Sequence, residues 1–247
     1  MKLKETFSTI PEQYDKARLD YPSQMFRDVI QYAGLKKSDP ILEIGIGTGK
    51  ASEPFVRRGN AYVANDISIG LVTIARRNLK RYRRVKYIIK PFENIKLPKN
   101  RFGLIFSAQT FHWIKPSTRF SKTHALLKPG GTLALMWNYN YYDRGIGKMA
   151  LRLHKKYSRA RGGKADAIIK QLKAHKQFTH VTLKEYQRNL HMTHQEYITM
   201  QTSFSWYLAL SEKRKKQALA DLKHIVSRFP KNIPIPIRTK LVMAKKK

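Results

Sequence analysis

Three glycines, an acid and an apolar run share the short stretch Ile41–Lys50, which reads ILEIGIGTGK. The chemistry this combination supports is the holding of a nucleoside-like ligand. Ile41, Leu42 and Ile44 suit a buried parallel strand, and Gly45, Gly47 and Gly49 let the backbone turn tightly and come close to a ligand. A second acid, Asp66, closes the run Ala61–Asp66, 17 residues after Gly49. An acid at the end of the second strand is where α/β nucleotide-binding sheets accept hydrogen bonds from ribose hydroxyls. Walker-type phosphate binding is disfavoured, because Ala51 follows Gly49-Lys50 where Ser or Thr is needed. The dinucleotide pattern G-x-G-x-x-G is also missed, since this chain has G-x-G-x-G.

Each acid has two readings. Glu43, at the end of a buried strand, needs polar partners, either a ligand or donors that anchor the glycine turn. Asp66 either accepts from a ribose or caps the following helix, a task that Ser68 can perform instead. Further along, Gln109, Phe111, His112 and Trp113 cluster at the end of the expected fourth strand. His112, with an unperturbed pKa of about 6.5, suits a general base; beside Phe111 and Trp113 it equally suits a structural, hydrogen-bonded role.

The elements that must position these residues alternate. Strands are expected near 41–45, 61–66, 85–90, 102–108 and 131–137, with helices near 50–58, 69–81 and 117–127, the pattern of a doubly wound, mostly parallel sheet. Ligands then gather at the carboxyl ends of the strands. Residues 139–177 are polar, aromatic and basic, with Gly145, Gly147, Gly162 and Gly163 as expected breaks, and suit an inserted helical cap. Beyond it, Val181–Asn189 reads as a strand and Glu212–Phe229 as a helix, with apolar Ala218, Leu219, Leu222, Ile225 and Val226 at helical spacing. Ile235–Met243 reads as the last strand. The expected blocks are 1–138 (N-terminal lid segment and ligand-binding core), 139–205 (cap) and 206–247 (closing helix and strand).

The 247 residues, 42% of them apolar, suffice for a full α/β core. No apolar stretch approaches the roughly 20 residues that span a bilayer, and no apolar signal core follows Met1–Glu5. The absence of cysteine excludes disulfides, thiolate metal sites and a Cys nucleophile, and no metal site is expected. A cytoplasmic location is the default expectation. Fifty Lys and Arg against sixteen Asp and Glu give a formal charge of +34, which supports nonspecific binding of nucleic acid or other polyanions. The basic residues are spread over nearly every element and no base-reading motif accompanies them, so a generally cationic surface, natural or deliberately supercharged, is the favoured reading.

Together these motifs resemble the class I S-adenosylmethionine-dependent methyltransferases. Glu43-Ile44-Gly45-Ile46-Gly47-Thr48-Gly49 and Asp66 resemble their first two cofactor motifs. Tyr14-Asp15-Lys16-Ala17-Arg18 with Tyr21-Pro22, Phe106–Trp113 and Leu127-Lys128-Pro129-Gly130-Gly131 resemble segments of the subgroup that includes trans-aconitate and ubiquinone/menaquinone methyltransferases. The tail Pro234–Ala244 is similar to that subgroup's last strand, so the likeness covers nearly the whole chain. It implies a Rossmann-like methyltransferase fold with a seven-stranded sheet and a helical cap. It also implies S-adenosylmethionine as cofactor. Glu43 would organise the methionine end, and Asp66 both ribose hydroxyls. Gly45, Gly47, Thr48 and Gly49 would line the turn, and Ile67, Ser107 and Ala108 would complete the site. Tyr14 and Arg18 resemble lid residues near the cofactor carboxylate, with a solvated helix as the alternative.

Two positions depart from the family pattern. Lys90-Pro91-Phe92-Glu93 stands where many relatives read G-D-A-E, so that Phe92 and Glu93 either face the adenine or serve as a core residue and a solvated turn residue. Gly103 stands where relatives commonly have Asp, and weaker adenine binding is one expected consequence. The resulting expectation is methyl transfer to a small-molecule acceptor, with Gln109, Phe111 and Trp113 in the acceptor pocket and His112 as the candidate base. A nucleic-acid methyltransferase and a noncatalytic cofactor-binding protein are the alternatives.

Overall fold

Apolar runs become strands at nearly the expected places in the computed structural model, which describes residues 11–140, 145–158 and 164–247. In chain order the elements are α1 (Pro11–Ala17), α2 (Ser23–Ala33), β1 (Ile41–Ile44), α3 (Glu53–Val56), β2 (Tyr62–Asp66), α4 (Ile69–Asn78), β3 (Val85–Ile89) and β4 (Phe102–Ala108). They continue with α5 (Pro116–Leu126), β5 (Leu127–Asn140), α6 (Gly145–Tyr157), α7 (Lys164–Lys173), β6 (Phe178–Thr193), α8 (His194–Thr202), α9 (Ser205–Leu208), α10 (Glu212–Ser227) and β7 (Asn232–Lys246). The seven strands form one sheet in the order β3-β2-β1-β4-β5-β7-β6. β1 pairs in parallel with β2 and β4, β2 with β3, and β4 with β5. All four residues of β1 are buried, as expected for a central parallel strand covered on both faces.

Local chemistry explains where expectation and structure differ. The helix expected over 50–58 shrinks to the single turn α3, because Gly49, Lys50, Ala51 and Ser52 are spent in tight turns closed by Gly49 N–H to Ile46 O and Ser52 N–H to Gly49 O, both 3.0 Å. Pro54 is tolerated at the start of α3, where its missing N–H costs nothing. The Leu127–Gly131 turn lies inside β5 as an irregularity: Leu127 pairs with Phe102 and Thr132 with Leu104, so Lys128–Gly131 bulge opposite Gly103. Gly145 begins α6 with φ +54°, whereas Gly147 does not break the chain but joins the buried stripe Ile146, Ala150, Leu153 and Tyr157 of that helix. Gly162 and Gly163 lie outside the described residues.

Gly103 sits at the start of β4, the end of the sheet opposite the glycine turn. A Cβ there would stand 2.6 Å from Asp39 Cβ. Asp39 fills the space, accepts from Lys36 N–H at 2.9 Å and pairs with Lys128, which together hold its carboxyl below the usual range despite the upward push of burial. The Gly103 departure is therefore answered locally by another acid, far from where adenine was expected.

The chain divides into two compact units that do not follow the expected blocks. One comprises residues 20–137, 164–186 and 239–247, with a core around Phe26, Phe55, Phe106 and Met136. It includes α7 because Asp166 pairs with Lys240 of β7 at 2.7 Å; the His175 and Phe178 rings lie 5.1 and 6.2 Å from Phe120 of α5. The other comprises residues 11–19, 138–158 and 187–238. Its core joins Ala218, Leu222 and Val226 of α10 to Ile146, Ala150 and Leu153 of α6 and Tyr197 and Met200 of α8. The α10 stripe read from the sequence thus packs with the expected cap as well as with Ile233, Ile235 and Ile237 at the start of β7.

Candidate active site

The glycine turn leaves β1 by folding back on β2: the N–H groups of Gly45 and Ile46 both donate to Asn65 O, at 2.7 and 3.0 Å. Gly45 has φ +77°, and a Cβ on it would lie 2.3 Å from Thr110 Cγ2, so this position admits no side chain. Around Gly47 the space is open, and a Cβ would meet nothing within 4 Å. The Gly47 N–H is nevertheless occupied, donating to Asp66 Oδ2 at 2.9 Å.

That contact ties the two motifs together. Asp66 Oδ1 accepts from Ser68 N–H at 3.0 Å, while Ser68 Oγ caps α4 by accepting from Leu71 N–H at 3.2 Å. Ser68, not Asp66, is therefore the helix cap. Each Asp66 carboxylate oxygen carries a backbone bond and retains capacity for another donor. Burial raises the Asp66 pKa, opposed by its backbone hydrogen bonds. Ile67 follows half-buried, and Thr48 is buried in the turn with its carbonyl accepting from Asn78 Nδ2 at 3.0 Å.

Glu43 finds partners that the sequence reading missed. Its carboxyl is 0% exposed, and Oε2 accepts from Ser52 Oγ at 2.6 Å and Tyr62 Oη at 2.5 Å. Oε1 has no hydrogen-bond partner among the described residues. Burial pushes the pKa from 4.5 to about 8, against the pull of the two hydroxyls. The sign of the consequence follows. Between those values the unfolded chain releases a proton that the folded chain keeps, so Glu43 lowers stability as pH rises through this window, with a slope of up to about 1.4 kcal/mol per pH unit. Glu43→Gln retains a carbonyl that accepts from Ser52 and Tyr62. It is expected to flatten the fall in urea midpoint between about pH 5 and 8 and to be more stable than the parent near pH 8; an unchanged pH profile would place the ionised form in the folded protein.

At the end of β4 the expected residues separate into two groups. Ser107 Oγ donates to Ile44 O at 2.7 Å, so its hydroxyl ties β4 to β1. Ala108 is half-buried, and Gln109 adopts φ +59°, an unusual left-handed conformation for a residue with a side chain. There the chain turns out of the strand, held by Gln109 N–H to Met136 O at 2.9 Å. Phe111 is fully buried and anchors the 3-10 turn Phe111–Trp113, against which α7 packs. His112 and Trp113 are half-buried with ring centroids 5.0 Å apart, and Trp137 Nε1 lies 3.4 Å from His112 Nδ1. Trp137 escaped the sequence reading because it ends an apolar strand and looks like core.

Phe92 is 4% exposed beneath the Lys122 ammonium, whose Nζ stands 5.2 Å from the ring centroid. Glu93 Oε1 accepts from Lys115 N–H at 3.0 Å, at the start of α5. Asn65, also missed, uses its amide to hold Ile88 O and Lys90 O at 3.1 and 2.8 Å. In the other unit, Arg18 is no solvated helix residue: its guanidinium lies 4.5 Å from the Tyr14 ring and 4.8 Å from the Phe204 ring, and Nη2 donates to Ser203 O at 3.3 Å.

The seven-stranded sheet of this order, with a glycine turn after β1 and an acid closing β2, has the Rossmann-like fold seen in methyltransferase structures. Residues 42–135 match the family model described as a methyltransferase domain. It is 23% identical over 225 residues to an uncharacterized methyltransferase of Mycobacterium tuberculosis, covering 91% of this chain and 87% of that protein. It is 33% identical over 130 residues to malonyl-[acyl-carrier protein] O-methyltransferase 1 of Ilyobacter polytropus, covering 51% and 48%. Among solved structures, its fold is similar to phosphoethanolamine N-methyltransferase 2 of Haemonchus contortus in complex with phosphomonomethylethanolamine and S-adenosylhomocysteine. That match has a TM-score of 0.57 and 15% identity, and covers 100% of this chain and 60% of that one. No described helix is long and apolar enough to cross a membrane.

Proposed function

We propose that the protein transfers the methyl group of S-adenosylmethionine to a small-molecule acceptor. The observation that carries the reading is the Gly47-to-Asp66 bond, which places a carboxylate with spare acceptor capacity beside an open glycine turn, as a ribose requires. The buried Oε1 of Glu43, without a partner among the described residues, fits a ligand whose cationic amino group donates to it and draws the carboxyl toward its ionised form. When bound, the cofactor supplies a methyl carbon on a sulfonium sulfur. Asp66 accepts from the ribose hydroxyls, with Ile67 and Thr48 beside it. Gln109, Phe111, His112 and Trp113 shape the acceptor side, and alignment of acceptor with methyl does most of the catalytic work. The small molecule in the Haemonchus complex supports this acceptor class.

A second reading rests on charge. The exposed run Arg76, Arg77, Lys80, Arg81, Arg83, Arg84, Lys86 and Lys90 spans the end of α4 and β3 with no acid among residues 76–90. As a generic cationic surface it binds RNA without sequence preference, and the affinity falls steeply with salt. The test is transfer of radiolabelled methyl from S-adenosylmethionine to a panel of small carboxylates, phenols and amines alongside bulk RNA. Label on small molecules is the expected result; label confined to RNA, with binding that persists at high salt, contradicts it.

A further inference from the structure

We infer that Trp137 is a positioning residue that fixes His112 with its ring proton on Nε2, so that the imidazole does not serve as a base toward the methyl acceptor. The inference rests on the reading above that the 109–113 segment faces the acceptor. An indole nitrogen donates and cannot accept. Trp137 is 2% exposed on β5, and its Nε1 faces His112 Nδ1 at 3.4 Å. A proton on Nδ1 would set two N–H groups against each other, so Nδ1 accepts and the single proton of the neutral ring sits on Nε2.

The ring is held in place from three directions. Phe111 anchors the 3-10 turn in the core, the left-handed backbone at Gln109 aims that turn away from β4, and Trp113 lies against the imidazole at 5.0 Å. An imidazole held this way has no lone pair to give: Nδ1 is engaged by Trp137, and Nε2 already carries its proton. His112 held this way does not remove the proton of an acceptor atom. The balanced step needs no protein base. A lone pair of the acceptor forms the new bond to the methyl carbon, the carbon–sulfur bond breaks with its electrons going to sulfur, and an acceptor that arrives ionised releases no proton. The inference thus narrows the acceptor to a group that is nucleophilic before it enters the site.

The test is a long-range proton–nitrogen correlation spectrum of the full chain with 15N-labelled histidine at neutral pH, using His112→Asn to assign the His112 signals. The expected result is one His112 nitrogen in the unprotonated range, identified by its coupling pattern as Nδ1, and Nε2 in the protonated range. Trp137→Phe keeps a large ring and removes the donor, so both nitrogen shifts should move toward the average of exchanging tautomers. A proton found on Nδ1, or on both nitrogens, in the parent would overturn the inference. So would shifts that do not respond to Trp137→Phe in a folded variant. If that variant does not fold, the parent spectrum alone still decides. S-adenosylhomocysteine titrated into the same parent sample tests the methyltransferase reading separately, since the tautomer is read whether or not the ligand binds.

Discussion

Asp66→Ala is expected to weaken S-adenosylhomocysteine binding by about 2–3 kcal/mol, roughly 30–150-fold, the loss that follows when hydrogen bonds to a charged acceptor are removed. The substitution deletes the proposed ribose acceptor and also frees the Gly47 and Ser68 N–H groups that Asp66 now holds. Calorimetric titration of folded parent and variant measures the difference. Because burial raises the Asp66 pKa, the carboxylate is lost at a higher pH than for an ordinary aspartate, and parent binding should weaken as pH falls through that raised value. The variant should lack this limb. Equal affinity in parent and variant would remove Asp66 from the site.

Gly45→Ala is expected to damage the fold as well as the site. Its Cβ would stand 2.3 Å from Thr110 Cγ2, on a backbone with φ +77°. The left-handed conformation costs about 1–2 kcal/mol and the overlap about 1–3 kcal/mol more, so urea unfolding should register a loss of roughly 2–5 kcal/mol. Relief requires Thr110 to move, and with it the 109–113 segment. Gly47→Ala is the internal comparison, since it meets only open space and should cost about 1–2 kcal/mol from φ alone. If the two variants lose equal stability, Thr110 is not packed against the turn.

Most of the core was legible because parallel strands announce themselves: Ile41–Ile44 and Phe102–Ala108 are apolar runs with few competing readings, and both formed where expected. The glycine turn was legible because its conformation demands a residue type. What the sequence hid were pairings between distant positions. Nothing local in Tyr62 or Ser52 marks them as donors to Glu43, and nothing in Trp137 distinguishes a residue that holds a histidine from one that fills a core. Asp39 filling the space beside Gly103 is a pairing of the same kind, in which one residue's departure is answered by a neighbour 64 positions earlier. The boundaries of the two units were hidden for a related reason: the apolar stripe of α10 states that the helix packs, but not on what.

The central claim is that the glycine turn and Asp66 hold S-adenosylmethionine. Calorimetric titration of the parent chain with S-adenosylhomocysteine tests it most directly, with Asp66→Ala and Gly47→Ala measured in the same buffer. One saturable site in the parent, weakened roughly 30-fold or more by Asp66→Ala and weakened also by Gly47→Ala, whose added methyl would enter the open space left for the ligand, is the predicted result. No saturable binding to a folded parent chain at millimolar ligand, or a site indifferent to Asp66, would contradict it.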